Sequence, residues 1–184
     1  TTVAVTGTGG ATSLLLALLA DASAAGAWAG VVGRPDLGLV AAAEAGIALD
    51  RLALVPCPGA DLVAVTSALL DGLDLVAVAG RVQHGGDRNR LAARARHQGA
   101  VLLALGPWPG EDLELACEQG RWRGVDAGEG DVGRLTGREV RVHLRGRGIS
   151  PAGRGARLLL PGPAGRPAFA DAATYLDLAD RLMA

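Results

Sequence analysis

A chain of 184 residues with 49% apolar side chains is long enough for one compact domain with a real core, and too short for two ordinary ones. Its 18 basic residues, all arginine, stand against 19 acids for a formal net charge of −1, so bulk charge points to neither a nucleic-acid nor a membrane partner. The absence of lysine excludes a Walker-type phosphate-loop lysine, a Schiff-base lysine and a lysine general base.

From the N-terminus, residues 3–6 predict a strand and residues 12–25 a leucine-rich helix. Strands follow at 28–32, 52–55, 75–78 and 101–105, separated by helices at 39–45, 61–70 and 88–97. Gly46 ends the second helix, Pro56 stops the third strand, and the third helix closes near Gly72. Continuous apolar strands alternating with helices imply a parallel sheet covered on both faces, joined by right-handed crossovers. After Pro107 the pattern changes. Segments 113–118, 138–144 and 156–160 predict strands joined by glycine-rich turns, and 138–144 alternates polar and apolar residues like an antiparallel strand with one wet face. The sheet is therefore expected to continue with antiparallel strands. Residues 161–167 read as a linker and 171–183 as an amphipathic helix with Asp171 at its N-cap. The expected division is a core domain, residues 1–162, and a linker with its terminal helix, residues 163–184.

Cys57 and Cys117 are far apart and without metal-ligand spacing, and His84, His97 and His143 are scattered, so ordinary thiols and no metal site are expected. With no signal peptide and no apolar run of membrane-spanning length, the expected location is cytoplasmic, without a membrane partner.

The strand-to-helix turn Val5-Thr-Gly-Thr-Gly-Gly-Ala-Thr-Ser13 stands where backbone N–H groups and a helix N-terminus cradle phosphate. Gly7, Thr8, Gly9, Gly10, Ala11, Thr12 and Ser13 would form that loop. A plainer reading is a tight turn that lets the helix pack closely on the sheet. A working Walker A loop needs lysine just before its Ser/Thr, and Ala11 stands there instead. The strand from Asp74 ends in Ala79-Gly80 and offers no carboxylate for a magnesium shell; Asp74 is at the wrong end.

After the second strand comes Gly33-Arg-Pro-Asp-Leu37, then Val40-Ala-Ala-Ala-Glu-Ala-Gly-Ile-Ala-Leu-Asp50, then Leu52-Ala-Leu-Val-Pro56. This order and spacing, from about Val3 to Leu105, resembles the RecA recombinases. The resemblance implies a RecA-like α/β fold: a parallel sheet flanked by helices, extended here by C-terminal antiparallel strands and a terminal helix. It also implies three lost ATPase positions. The phosphate-loop lysine matches Ala11, the magnesium-binding aspartate matches Ala79, and the glutamate that activates water matches Arg34. Nucleotide hydrolysis is therefore not expected, the loop is vestigial, and no cofactor is implied.

The second half departs from RecA. Trp108-Pro-Gly-Glu-Asp-Leu-Glu-Leu115, Gly120-Arg-Trp-Arg-Gly124, Arg145-Gly-Arg-Gly148 and Leu158-Leu-Leu-Pro-Gly162 together resemble the actinobacterial ImuA-like proteins, written ImuA-prime. That resemblance implies a non-catalytic accessory factor of damage-induced mutagenesis. Its partner would be ImuB, an inactive Y-family polymerase homologue, and through it an error-prone C-family polymerase and the sliding clamp.

Ten arginines lie between Arg121 and Arg166. Arg141, His143 and Arg145 share one strand face, and with Arg138, Arg147 and Arg154 they are candidate DNA contacts. A solvated face paired with acids is the plainer reading, since no aromatic platform accompanies them; any DNA binding is expected to be weak. Trp122, Phe169, Tyr175, Leu176 and Leu182 are candidate partner-binding residues, against a plainer role in the local core. Two rival functions stand beside the accessory reading. One is an NAD(P)-binding Rossmann-type oxidoreductase, with Arg34 meeting a 2′-phosphate; the other is a divergent RecA-type ATPase that binds single-stranded DNA.

Overall fold

Six strands form the parallel half of the sheet: β1 (Thr2–Gly7), β2 (Ala29–Val32), β3 (Leu52–Val55), β4 (Leu75–Ala79), β5 (Val101–Leu105) and β6 (Leu113–Cys117). Four more, β7 (Arg121–Arg123), β8 (Gly137–Gly146), β9 (Arg154–Leu159) and β10 (Ala168–Phe169), complete it in antiparallel fashion. The computed structural model describes residues 1–7, 9–118, 120–124, 135, 137–149 and 153–170. The order across the sheet is β10-β9-β8-β6-β1-β5-β4-β2-β3, with β7 pairing on β8. This is the expected RecA-like arrangement, a mainly parallel sheet flanked by helices and prolonged by antiparallel strands.

Helices α1 (Ala11–Ala24) and α2 (Leu39–Ala45) cover one face, and α3 (Leu62–Leu70) and α4 (Gly85–His97) the other. Strand alternation decides which residue meets which helix layer. Val3, Val31, Ala77 and Leu103 turn toward Leu15, Leu16 and Leu19 of α1. Ala4, Val32, Val76, Val78, Leu102 and Ala104 turn toward Leu70, Leu91 and Ala95. A third cluster joins Val5 and Leu14 to Cys117, Val140, Val142 and Leu160, so the N-terminal end of α1 also seats on the antiparallel strands. Each fully buried leucine here contributes roughly 1.5–3 kcal/mol.

Three expectations need correction. The strand at 113–118 is parallel, not antiparallel: β6 pairs with β1 from Val3 opposite Leu113 to Gly7 opposite Cys117, and pairing reverses only at β6–β8. The seven residues between β5 and β6 contain two prolines and no helix, so they do not look like a crossover. Extended, however, such a segment reaches about 23 Å, more than the roughly 17 Å of a five-residue strand. Trp108 within it is buried against the α3/α4 layer. Residues 161–167 are also not a free linker. A 3-10 turn at Pro163–Gly165 rests on α2, where a Cβ added to Gly165 would lie 2.8 Å from Glu44, and β10 then pairs with β9. Finally, α4 begins at Gly85 rather than residue 88. Two glycines hide its start, although Asp87 in the first turn and Arg94, Arg96 and His97 in the last suit the helix dipole.

The expected terminal helix, with Tyr175, Leu176 and Leu182, lies outside the described residues, as does Thr8 of the loop. Among the described residues no helix is long and apolar enough to cross a membrane.

Candidate functional site

The turn leaving β1 is glycine because nothing else fits. Gly7 has φ +119, and a Cβ there would fall 2.0 Å from the Cys117 carbonyl oxygen of β6. Gly10, the N-cap of α1, has φ +107, and its Cβ would sit 2.9 Å from Nη2 of Arg138. Helix α1 starts with no side-chain cap and no acid in its first turn. The first N–H groups of a helix have no acceptor within it, so this end carries uncompensated positive potential.

Two guanidinium groups converge on that end. Gly33 turns the chain after β2 so tightly against β4 that a Cβ would meet the Ala79 carbonyl at 2.0 Å. Arg34 follows that turn, and its Nη2 donates to Thr12 Oγ1 at 3.1 Å and to Asp36 Oδ2 at 3.0 Å. Arg138 comes from β8. Its Nη2 lies 3.5 Å from Ser13 Oγ, a long contact, and its Nε is buried with no hydrogen-bond partner among the described residues. Trp122, directly opposite on β7, lies under the guanidinium at 5.1 Å.

The resulting cleft, about 350 Å³, is lined by Gly7, Gly9, Gly10, Ala11, Thr12, Ser13, Arg34 and Arg138. No carboxylate lines it among the described residues. Ala11 and Arg34, two of the three positions that the RecA resemblance matches to ATPase residues, both line it. Ala79 is buried behind the Gly33 turn, at the C-terminal end of β4. Asp74 is at the opposite end of that strand, where its carboxylate accepts the Trp28 N–H at 2.8 Å. A larger cleft, about 830 Å³, opens beyond the ends of β4 and β5. Within it, Arg88 is engaged with the Val82 carbonyl at 2.7 Å.

The sequence places Arg138 with Arg141 and Arg145 as one candidate group, yet Arg138 and Arg141, three apart on one strand, face opposite ways. Arg138 shares its face with the buried Val140 and Val142 and so turns toward α1. That alternation was the available signal.

Arg141 and His143 occupy the other face. Arg141 lies directly opposite Arg157 of β9, an unfavourable like-charge pair. Two acids offset it. Glu118 stands 3.8 Å from Arg141 and 2.9 Å from His143, and Glu139 stands 3.6 Å from Arg157 and also pairs with Arg123. Arg147 lies 3.9 Å from Asp112, and Arg145 and Arg154 are exposed. Trp122 is half exposed and Phe169 lies on edge strand β10. Burial pushes the Cys117 thiol up from its ordinary value, partly offset by Arg138 nearby, so it stays a neutral core thiol. Among the described residues no group of three His, Cys, Asp or Glu could hold a metal.

Residues 1–110 match the family model described as the MT3502 N-terminal domain. The chain is also 42% identical to an uncharacterized protein, Rv3395c, of Mycobacterium tuberculosis (strain ATCC 25618 / H37Rv) over 146 residues, 76% of this chain and 71% of that one. The chain thus belongs to the MT3502 N-terminal domain family.

Proposed function

We propose that this protein is a non-catalytic RecA-like accessory factor of error-prone translesion synthesis, acting by binding an ImuB-type inactive Y-family polymerase homologue. The observation that carries the non-catalytic half is the seating of Arg34 on Thr12 Oγ1, with Arg138 beside Ser13. Those hydroxyls are where a phosphate loop would hold magnesium. A divalent cation there would lie a few ångströms from two guanidinium groups, with no carboxylate among the described residues lining the cleft; at about 4 Å a like-charge pair already costs roughly 4 kcal/mol per unit charge product at an effective dielectric of 20. With Ala11 and Ala79 in place of lysine and aspartate, the loop has neither the lysine that reaches the β/γ-phosphates nor a carboxylate for a metal shell.

The partner half rests on the resemblance of the second half of the chain to ImuA-prime. It extends through ImuB to an error-prone C-family polymerase and the sliding clamp. Co-purification with an ImuB-type protein, using the full chain and a chain ending at Gly162, tests it directly. Retention of the partner by the full chain supports the reading; failure of the full chain to retain it removes the reading. Steady phosphate release from magnesium-ATP would separately overturn the non-catalytic half.

A further inference from the structure

The geometry points to a metal-independent binding site for one phosphate-type oxyanion, held between the N-terminus of α1, Arg34 and Arg138. The inference rests on the non-catalytic reading of this loop, but not on any partner.

The argument is one of charge. Three sources of positive potential meet within one cleft: the uncapped start of a 14-residue helix and two guanidinium groups carried there from distant elements. Among the described residues one acid is near. Asp36 pairs with Arg34, but its side chain is 70% exposed and does not line the cleft. Among the described residues no carboxylate lies within ion-pairing distance of Arg138, and its Nε has no acceptor. Assembling these cations around a cleft that no described carboxylate lines is unfavourable, and an anion in the cleft would relieve it.

The arrangement is also held in place. Stacking on Trp122 and a seat against Gly10 fix Arg138, where any larger residue at position 10 would collide with it. The Gly33 turn fixes the root of Arg34. Planar forks presenting several N–H groups, combined with backbone donors at a helix start, suit a tetrahedral oxyanion with several acceptor oxygens better than a spherical halide. The same cations repel magnesium. Binding should thus be insensitive to divalent metal, unlike a nucleotide site that works through lysine and a metal shell. A free phosphate and the phosphate of a nucleoside monophosphate offer the same chemistry.

Amide chemical-shift titration of the full chain at constant ionic strength tests this, with sodium chloride as the reference salt. Orthophosphate is expected to move the amides of Gly9–Ser13 saturably, equally with magnesium and with a chelator. Arg34→Gln and Arg138→Gln are each expected to weaken the apparent affinity by about tenfold or more. Arg154→Gln, on the exposed edge of β9, is expected to leave it unchanged. Arg34 is partly exposed, so its variant reports on binding even should the Arg138 variant lose stability. A second titration with a nucleoside monophosphate separates the two sources: tighter binding than orthophosphate assigns the site to an ester, equal binding to the free ion. No saturable shift at Gly9–Ser13, or a shift that Arg34→Gln leaves untouched, overturns the proposal. An absolute requirement for magnesium would overturn it together with the non-catalytic reading. Loss of partner co-purification would leave it intact.

Discussion

Trp122 of β7 and Arg138 of β8 face each other across the ladder, with the guanidinium carbon 5.1 Å from the indole centroid. One side chain serves as a floor for the other, and the supported guanidinium is then directed at Gly10 and Ser13. The aromatic residue nominated from the sequence as a partner anchor is thus also a positioning residue for the loop.

Because the indole is half exposed, the stacking should be worth about 0.5–1 kcal/mol. Trp122→Ala and Arg138→Ala are each expected to lower stability modestly, and their double variant to lower it by less than the sum. A double-mutant cycle from urea denaturation would measure that coupling. Full additivity would mean the two side chains are neighbours without interacting.

Placing a lysine at position 11 should not create an ATPase. Ala11→Lys would bring a third cation to a cleft already holding Arg34 and Arg138, with Ala79 still unable to hold a metal shell. Phosphate release from magnesium-ATP by this variant is expected to stay at the buffer background. Measurable turnover from the single change would mean the arginines move aside and that the loop is closer to an active one than its charges imply.

Much of this was legible in the sequence. Apolar runs such as Leu75–Ala79 and Val101–Leu105 announced a parallel sheet because a strand buried on both faces has no polar alternation to obscure it. The empty position at Ala11 was legible because lysine is absent from the whole chain. The parallel course of β6 was not, since the seven residues before it look like a turn rather than a crossover. Arg34 was placed correctly after β2, but its reach to Thr12 depends on the Gly33 turn being pressed onto Ala79, a tertiary contact with no local signature. Arg138 was readable from its phase with Val140 and Val142 and was hidden by the arginines around it.

The glycine at position 7 is a sharper structural test than any side chain in the loop. Gly7→Ala forces a left-handed residue and drives a methyl group into the Cys117 carbonyl of the adjacent strand. The expected cost is about 2–4 kcal/mol, similar to truncating the fully buried Leu15 to alanine. Val40→Ala, 74% exposed on α2, should change stability by less than about 0.5 kcal/mol. Thermal denaturation of the three variants checks the ranking, and a Gly7→Ala protein as stable as the parent would contradict the tight β1–β6 exit.

The link between α3 and α4 predicts an acid-side pH effect. Arg94 holds the Asp71 carboxylate by two bonds, 2.5 and 2.6 Å, and Gln98 adds a third. Hydrogen bonding from Arg94, then from Gln98, sets the Asp71 pKa below its ordinary 3.8. A carboxyl depressed in the folded state stabilises fully above its unfolded pKa and loses that contribution as pH falls through the folded one. Asp71→Asn should therefore lower Tm near neutrality by a constant amount, with the gap closing below about pH 4. Both groups are well exposed, so high salt should shrink the gap as well. A gap that persists unchanged at pH 2 would point to packing rather than charge.

The arginine-bearing face of β8 and β9 gives the last prediction. Arg141 and Arg157 stand opposite each other, with Glu118 3.8 Å from Arg141 and Glu139 3.6 Å from Arg157. Single-stranded DNA approaching this face would have to compete with those carboxylates for the guanidinium groups, and among the described residues no aromatic platform on this face would repay the cost. Affinity of the parent protein for an oligothymidylate should accordingly be no better than non-specific, about 10⁻⁴–10⁻⁶ M at physiological salt. Replacing both acids, Glu118→Gln with Glu139→Gln, should tighten binding severalfold at low salt and steepen its salt dependence by roughly 0.7 log units per added phosphate contact. Fluorescence anisotropy across a salt series measures both. If the parent already bound tightly and the double variant did no better, the acids would not be masking this face, and a DNA role would move from the margin of the functional reading to its centre.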